Sequence, residues 1–218
     1  MYPHVDVPAC TRAGVLLCSN MHQGAPSYAA AEMRLALILA SLRQIPQQAA
    51  SLQGGDWQSG VGRTFRGRTL GLYGYGRIAG ALADYARAMG VHVRWWVLSE
   101  GCARAEANGK VLAPSREAFF ATSDVVSLHV RLKQSTRWII TDRDLAAMKP
   151  RALFVNTSRS GLVVPGALEA EVARGRIYAA VDIFDTEPLR DIDHPLLTLP
   201  NVLATPHLGY VTEDEFDL

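Results

Sequence analysis

The sequence predicts an α/β protein with a doubly wound parallel sheet and an incomplete second domain. Three observations carry this prediction: apolar strand-like runs alternate with segments of helical period from Arg68 onward, six such runs occur, and a glycine-rich turn joins the first run to its helix. Runs this apolar are typical of strands that are buried on both faces by helices. The fold class follows from that alternation.

The six predicted strands share a content of branched and aromatic residues and are bounded by turn formers. In chain order they are Thr69–Tyr73, Val91–Val97, Asp124–Val130, Ala152–Asn156, Ile177–Phe184 and Asn201–Ala204.

Helices are predicted between these strands from apolar spacing and from start and stop signals. The predicted helices are Arg77–Met89 with Gly90 as its stop, Ser115–Ala121, a helix capped by the run Thr141–Asp144 and ending at Lys149 and Pro150, and one that begins at Pro165 and stops near Gly175.

The flanks of this region are organised differently. Ser27–Arg43 predicts one long helix with Ser27 as its N-cap, and the polar segment Gln44–Gly67 joins it to the first strand. Before it, only Gly14–Cys18 is apolar, which is too little for an independent core. At the other end, Glu213–Leu218 resembles the opening turn of a helix.

Composition excludes several classes of protein. The net charge is +1 and the basic residues are scattered, which argues against a nucleic-acid or polybasic membrane surface. The apolar run Ala29–Leu42 is short and is interrupted by Glu32 and Arg34, so we expect no membrane span. No secretory signal is evident, and three cysteines without a close pair favour reduced thiols in a cytoplasmic protein with no metal site.

The glycine-rich turn has the spacing GxGxxA between the first strand and its helix. Gly74 permits the tight turn, Gly76 lets a pyrophosphate approach the backbone, and Ala79 allows close helix–strand packing. Phosphates would then meet the N-terminal N–H groups of the helix at Arg77. Such a motif alone also occurs in methyltransferases and in packing turns, but the strand–helix–strand context favours a Rossmann-type dinucleotide-binding domain.

The acidic residue that would bind an NAD ribose at the end of the second strand is missing. Val97 occupies its place, and it is neither a carboxylate for a 2′-hydroxyl nor an arginine for a 2′-phosphate. Glu100 and Arg104 are weak substitutes for these two roles. The cofactor is therefore predicted as NAD or NADP.

Three polar residues follow successive strands at the carboxyl edge of the predicted sheet, where ligands bind in open α/β folds. Arg159 follows the fourth strand, Glu187 the fifth and His207 the sixth. Singly, each has an ordinary reading, as a surface ion pair or a loop histidine. As a set they offer a guanidinium for a carboxylate, an imidazole that transfers protons near neutral pH, and an acidic partner for it.

Seven segments together resemble the family of D-isomer-specific 2-hydroxyacid dehydrogenases, over nearly the whole chain. These segments are ACTRAGVLLCSN, AAEMRLALILASLRQ, LGLYGYGRIAG, SDVVSLHVRL, NTSRSGLVVPGAL, AAVDIFDTEPL and PHLGYVT.

The resemblance implies hydride transfer between NAD(P) and a small 2-hydroxy or 2-oxo acid, as in glyoxylate or hydroxypyruvate reductases or phosphoglycerate dehydrogenases. It makes His207 the general acid/base, Glu187 its partner and Arg159 the carboxylate ligand. It places Asp182 on the nicotinamide carboxamide. The further cofactor-binding residues that it implies are Gly74, Tyr75, Gly76, Arg77 and Ile78 at the pyrophosphate, Val97 at the ribose, His129 and Val130 beside the cofactor, Thr157 and Ser158 at the nicotinamide, and Gly209.

The resemblance also implies a domain division. Residues 1–24 are expected to be a remnant of the substrate domain, and residues 208–218 the start of the helix that returns to it. Residues 25–207 form the dinucleotide-binding domain, with a linker helix at 27–43 and an arm at 44–67 through which a homodimer forms. Arg131 departs from the family's usual proline.

Two other functions remain open at this point. One is a cofactor-sensing or corepressor-like protein on the same fold, which binds NAD(P) without turnover. The other is a methyltransferase, which would leave the three polar residues unexplained.

Overall fold

A computed structural model describes residues 5–17 and 28–216, and in it six parallel strands form one sheet. The strands are β1 (Thr69–Tyr73), β2 (His92–Trp96), β3 (Val125–Leu128), β4 (Leu153–Asn156), β5 (Tyr178–Val181) and β6 (Val202–Ala204). Their spatial order is β2-β1-β3-β4-β5-β6.

Helices lie on both faces of this sheet. They are α1 (Val7–Arg12), α2 (Tyr28–Arg43), α3 (Ile45–Gln53), α4 (Arg77–Ala88), α5 (Ser99–Ala107), α6 (Arg116–Thr122), α7 (Asp142–Ala147), α8 (Ala167–Ala173), α9 (Pro195–Thr198) and α10 (Glu213–Phe216), with 3₁₀ turns at Gln134–Thr136 and Ser160–Leu162. None of the helices in the described ranges has the length and hydropathy that a bilayer crossing requires.

Two hydrophobic cores separate the layers, which confirms the doubly wound prediction. On one face, α2 and α4 bury Leu37, Ile38 and Leu82 against the sheet. On the other face, helices α6 to α9 contribute a second core that includes Phe119 and Phe120. Both faces are covered because strands of this apolar kind must be shielded from water on each side.

The direction of winding reverses between β1 and β3. The chain passes from β1 outward to β2, then returns to β3 and continues to β6 in the other direction. In open α/β sheets, the carboxyl ends of the strands at such a reversal diverge and leave a crevice. The glycine-rich turn lies at the mouth of that crevice.

Several predicted boundaries and elements were wrong. Pro165 lies in a turn rather than at the first helical position, because Gly166 adopts a left-handed conformation (φ +76°) and α8 begins only at Ala167. The predicted second, third and fifth strands are too long, since their terminal apolar residues continue into turns. The predicted cap Ser27 lies outside the described residues.

Helices also occupy four segments where none was predicted, namely α1, α3, α5 and α9. α3 lies within the polar segment Gln44–Gly67 that was predicted only to connect the long helix to β1, and α5 follows β2. By contrast, the start of α7 was predicted correctly, since Thr141 and Asp144 form a reciprocal capping box. Gly90 has a positive φ of +74° directly after the end of α4, as its predicted role requires.

Candidate active site

The crevice is lined by the glycine loop, residues 74–76, and by the end of β3. Gly74 has φ +111°, and a Cβ added to it would stand 2.6 Å from the carbonyl oxygen of His129. Its N–H donates to the carbonyl of Trp96 at 2.8 Å. This turn therefore requires glycine, both for its conformation and for its close approach to β3.

The N-terminus of α4 is open toward the crevice. Gly76 caps this helix with an extended backbone (φ −142°) and no side-chain hydrogen bond. A Cβ built on Gly76 meets nothing within 4 Å. Free N–H groups at a helix N-terminus attract anions, so this end of α4 has the shape and polarity that suit a pyrophosphate.

Tyr75 is held by α5, which was not predicted. Its hydroxyl accepts from Asn108 Nδ2 at 2.8 Å, and its carbonyl accepts from Arg104 Nη2 at 2.7 Å. Its ring packs edge-on against Trp95 with 5.1 Å between centroids. These contacts fix the glycine loop from the side of β2.

The predicted ribose position at Val97 is buried, with 8% of the residue exposed, and its side chain belongs to the core beneath α4. A valine in this position can give a ribose no side-chain hydrogen bond. The side chain of Glu100 lies outside the described part of the chain. Arg104 is exposed and gives one of its five N–H groups to the carbonyl of Tyr75.

Beside the crevice, two buried polar atoms have no partner among the described residues. They are Thr157 Oγ1 and His129 Nδ1. Burial, and then the positive charge of Arg34, hold the pKa of His129 well below its ordinary value, so this imidazole is neutral. Buried polar atoms in folded proteins nearly always find partners, and these two fit a ligand with hydrogen-bonding groups, as a nicotinamide has.

The loop that carries Arg159 is tied by its own residues. Asn156 accepts from the N–H of Ser158 at 3.1 Å and donates to the carbonyl of Arg159 at 3.0 Å. Ser158 Oγ donates to the carbonyl of Leu128 at 2.6 Å, which joins this loop to the end of β3. Arg159 itself is exposed, and its Nη1 donates to the carbonyl of Ser158 at 2.6 Å.

His207 and Glu187 form a direct pair. His207 Nδ1 lies 2.8 Å from Glu187 Oε2, and their side chains are 31% and 36% exposed. A nitrogen that faces a carboxylate carries the proton, so Nε2 of His207 is left for other partners. The other oxygen, Glu187 Oε1, accepts from the N–H of Phe184 at 3.0 Å, which orients the carboxylate.

The pKa of Glu187 is lowered from its ordinary value. Burial alone would raise it, but the Phe184 N–H, the bond to His207 and the charge of Arg159 together lower it. The carboxylate is therefore ionised near neutral pH. The charge of Arg159 is among the causes of this lowering, so its guanidinium lies within electrostatic reach of Glu187.

Asp182 is completely buried and holds the loop of His207. Its Oδ1 accepts from Thr205 Oγ1 at 2.5 Å and from Leu208 N at 2.8 Å, and its Oδ2 accepts from Gly209 N at 2.9 Å. His207 has φ +57° between these anchors. In the structure both carboxylate oxygens thus bind the protein's own backbone and a hydroxyl.

Sequence reasoning missed three residues that shape this site: Arg34, Asn156 and Thr205. Arg34 was noted only as an interruption of an apolar run. Its position three residues after Ala31 and three before Leu37, on the buried face of α2, was the signal that could have revealed it. Asn156 and Thr205 have no comparable signal, because their role depends on loop geometry.

Comparison with protein families gives a clear match. The family described as D-isomer specific 2-hydroxyacid dehydrogenase, NAD binding domain, matches residues 35–209. That range contains the glycine loop and all three polar residues of the carboxyl edge.

Individual relatives agree with this match. Hydroxypyruvate reductase from Thermotoga maritima is 37% identical over 215 residues, which cover 97% of this chain and 68% of the relative. D-3-phosphoglycerate dehydrogenase from Methanocaldococcus jannaschii is 37% identical over 214 residues, but only 40% of its length is covered. A crystal structure of phosphoglycerate oxidoreductase from Vibrio cholerae superimposes with a TM-score of 0.92 at 41% identity, over 100% of this chain and 70% of that one. The chain thus spans only part of each of these relatives.

Proposed function

Because this chain belongs to the family of D-isomer specific 2-hydroxyacid dehydrogenases, we propose that it transfers hydride between a nicotinamide dinucleotide and a small 2-hydroxy or 2-oxo acid. The observation that carries the proposal is the His207–Glu187 pair, 2.8 Å apart, in the electrostatic reach of Arg159 and on the same carboxyl edge of the sheet as the glycine loop at the N-terminus of α4. When bound, the nicotinamide supplies or receives the hydride.

In this proposal His207 moves the proton. In reduction, Nε2 of His207 gives a proton to the keto oxygen of the substrate while the carbonyl carbon receives a hydride. In oxidation, Nε2 takes the proton from the hydroxyl group as the hydride leaves that carbon. Glu187 favours the protonated ring because a nearby negative charge stabilises imidazolium. General acid–base catalysis of this kind contributes about 10²–10⁴-fold to the rate.

Arg159 binds the substrate carboxylate. Its planar guanidinium can make two parallel hydrogen bonds to a carboxylate, and its exposure in the structure leaves it accessible to one. The carboxylate of Asp182 is completely buried and already accepts from Thr205, Leu208 and Gly209, so we propose that it positions the His207 loop and does not bind the nicotinamide carboxamide directly.

The cofactor preference is proposed to be weak. Val97 offers a ribose neither a carboxylate nor a positive charge, and Arg104 already bonds Tyr75. We therefore expect affinities for NADH and NADPH that differ by less than about tenfold, which corresponds to about 1.4 kcal/mol.

The proposed assay measures oxidation of NADH and NADPH with glyoxylate, hydroxypyruvate and pyruvate, and cofactor binding by fluorescence. His207→Asn should abolish turnover and keep cofactor binding. His92→Asn is the matched control, since His92 is exposed at the amino end of β2. If turnover survives in the His207 variant, the proposed acid/base role is wrong. Cofactor binding without turnover of any acid in the parent protein would favour the cofactor-sensing alternative.

The domain division and the dimer remain proposals. The segment around α3 exposes four large apolar side chains, Trp57 at 76%, Val61 at 83%, Leu52 at 57% and Ile45 at 54%. Apolar side chains exposed together mark interaction surfaces. We propose that this arm packs on a second copy of the chain, and that residues 208–218 lead into the substrate domain. Light scattering that finds only monomer at micromolar protein would contradict the dimer.

A cytoplasmic location stays a prediction, to be tested by cell fractionation.

A further inference from the structure

Arg34 is a charged residue in a place where packing alone requires none. It lies on the apolar face of α2 with Ala31, Leu37 and Ile38, and only 4% of it is exposed. A leucine or methionine would fill such a position, because buried arginines are rare unless they are paired. Its charge must therefore be accounted for by its contacts.

Those contacts lead to the loop of Arg159. Nη2 of Arg34 donates to the carbonyl of Thr157 at 3.2 Å and has a longer contact of 3.5 Å with Ser158 Oγ, while Nη1 donates to Ala30 O within α2 at 2.7 Å. Ser158 in turn bonds the end of β3. The guanidinium thus joins α2 to the carboxyl ends of the two central strands.

The charge of Arg34 is compensated in part, because the negative charge of Asp182 acts on it more strongly than the positive charge of Arg159 does. Burial lowers the pKa of Arg34 from its ordinary value, the negative charge of Asp182 opposes this effect, and the positive charge of Arg159 adds to it, which leaves the pKa at about 10. Arg34 is therefore charged at neutral pH and repels Arg159 across the loop that both share. Its Nε has no partner among the described residues.

A bound anion would relieve this repulsion. A carboxylate held by Arg159 would interact favourably with both guanidinium groups, and the buried one is screened little by salt. The charge of Arg34 would therefore raise the affinity of Arg159 for an anion, although Arg34 does not itself contact the anion.

We propose that Arg34 is a positioning residue of the substrate site: it fixes the Thr157–Arg159 loop and adds its buried charge to the attraction of the substrate carboxylate. The inference rests on the proposed function, since it takes Arg159 as the carboxylate ligand. It assigns Arg34 no contact with the substrate or with the reacting atoms.

The test compares Arg34→Met, Arg34→Lys and Arg176→Met. Arg176 is the matched control, because it also donates to backbone carbonyls, those of Leu145 and Met148, and pairs with buried Glu171 on the opposite face of the sheet. Measured quantities are KM and kcat for the oxo acid, the Kd for NADH, the Kd for oxalate in the presence of NADH, and Tm.

We expect Arg34→Met to raise the oxo-acid KM and the oxalate Kd about tenfold or more, and to raise the NADH Kd by a smaller factor, because Thr157 and Ser158 of the same loop are proposed to line the nicotinamide. Arg34→Lys keeps the charge and should recover most of the anion affinity. Arg176→Met should lower Tm and leave both anion constants unchanged.

Equal anion constants in the parent and Arg34→Met, equal losses in Arg176→Met, or no recovery in Arg34→Lys would each overturn the inference while leaving the proposed function intact. Absence of both turnover and oxalate binding in the parent protein would overturn the two together.

Discussion

Replacing each glycine of the 74–76 loop with alanine separates folding from cofactor binding. At Gly74 the new Cβ would stand 2.6 Å from the His129 carbonyl oxygen and 3.3 Å from Val130 Cγ2, with φ held at +111°. At Gly76 the backbone is extended and the Cβ meets nothing within 4 Å. One substitution collides with the protein itself, and the other only with a ligand.

The expected magnitudes differ accordingly. A sparsely populated backbone conformation costs about 1–3 kcal/mol, and overpacking typically costs about 1–3 kcal/mol more. Gly74→Ala should thus destabilise the fold by about 3 kcal/mol, which lowers Tm by roughly 6–12 °C in a domain of this size. Gly76→Ala should leave Tm unchanged and raise the Kd for NADH at least about tenfold, because the methyl group occupies the approach to the α4 N-terminus.

Thermal unfolding and fluorescence titration with NADH measure the two quantities on the same samples. Undiminished NADH affinity in Gly76→Ala would show that no pyrophosphate lies at this helix end. A Gly74→Ala protein as stable as the parent would show that β1 and β3 do not approach each other as closely as described.

Three further outcomes are expected. Glu187→Gln should lower kcat about 10²-fold and leave the NADH Kd unchanged, because the imidazolium of His207 loses its carboxylate partner. A decrease in kcat of less than twofold would show that Glu187 has no part in catalysis. His129→Gln should flatten the pH dependence of the free energy of unfolding. The pKa of His129 in the folded protein lies well below its unfolded value of about 6.5, so the parent loses up to about 1.4 kcal/mol of stability per pH unit as pH falls below 6.5. Parallel stability curves for the parent and the variant below that pH would contradict this. Asp144→Asn should destabilise the fold by about 2–3 kcal/mol at pH 7, since the carboxylate accepts two bonds from Arg116. Burial raises the pKa of Asp144, but Arg116 and Thr141 lower it overall. Its stabilisation is therefore fully present above about pH 3.9, and the gap to the variant should narrow as pH falls below that value; a gap that stays constant there would refute it.

The sheet could be predicted from sequence because its strands are apolar on both faces. β1 was predicted to the residue, since Leu70, Leu72 and Tyr73 are all fully buried and a turn follows at once. The end of β5 could not be, because the apolar run continues through Ile183 although Asp182 already turns toward the His207 loop.

Helices with a weak apolar stripe escaped prediction. α5 has the sequence SEGCARAEA, in which Ala105 is the residue buried in the core, and α3 buries no residue fully. Such helices form through contacts with their neighbours, as Arg104 and Tyr75 illustrate, and periodicity cannot reveal them.

The same difference applies to the site. Residues that directly follow strands, such as Arg159 and His207, could be located because parallel strands deliver their ends to one edge. The role of Asp182 on the His207 loop could not be predicted, because its donors Thr205, Leu208 and Gly209 come within 3 Å of it only through the tertiary fold.

The long helix α2 contacts α4, which connects β1 to β2, and it also contacts β4, β5 and β6. It therefore bridges both halves of the winding, and Arg34 secures it to the strand ends in the middle. If α2 left the sheet, apolar residues of α4 and of strands β4 to β6 would be exposed to water. The two halves should consequently melt in a single cooperative transition, with amide protons of β1 and β5 exchanging through the same global opening.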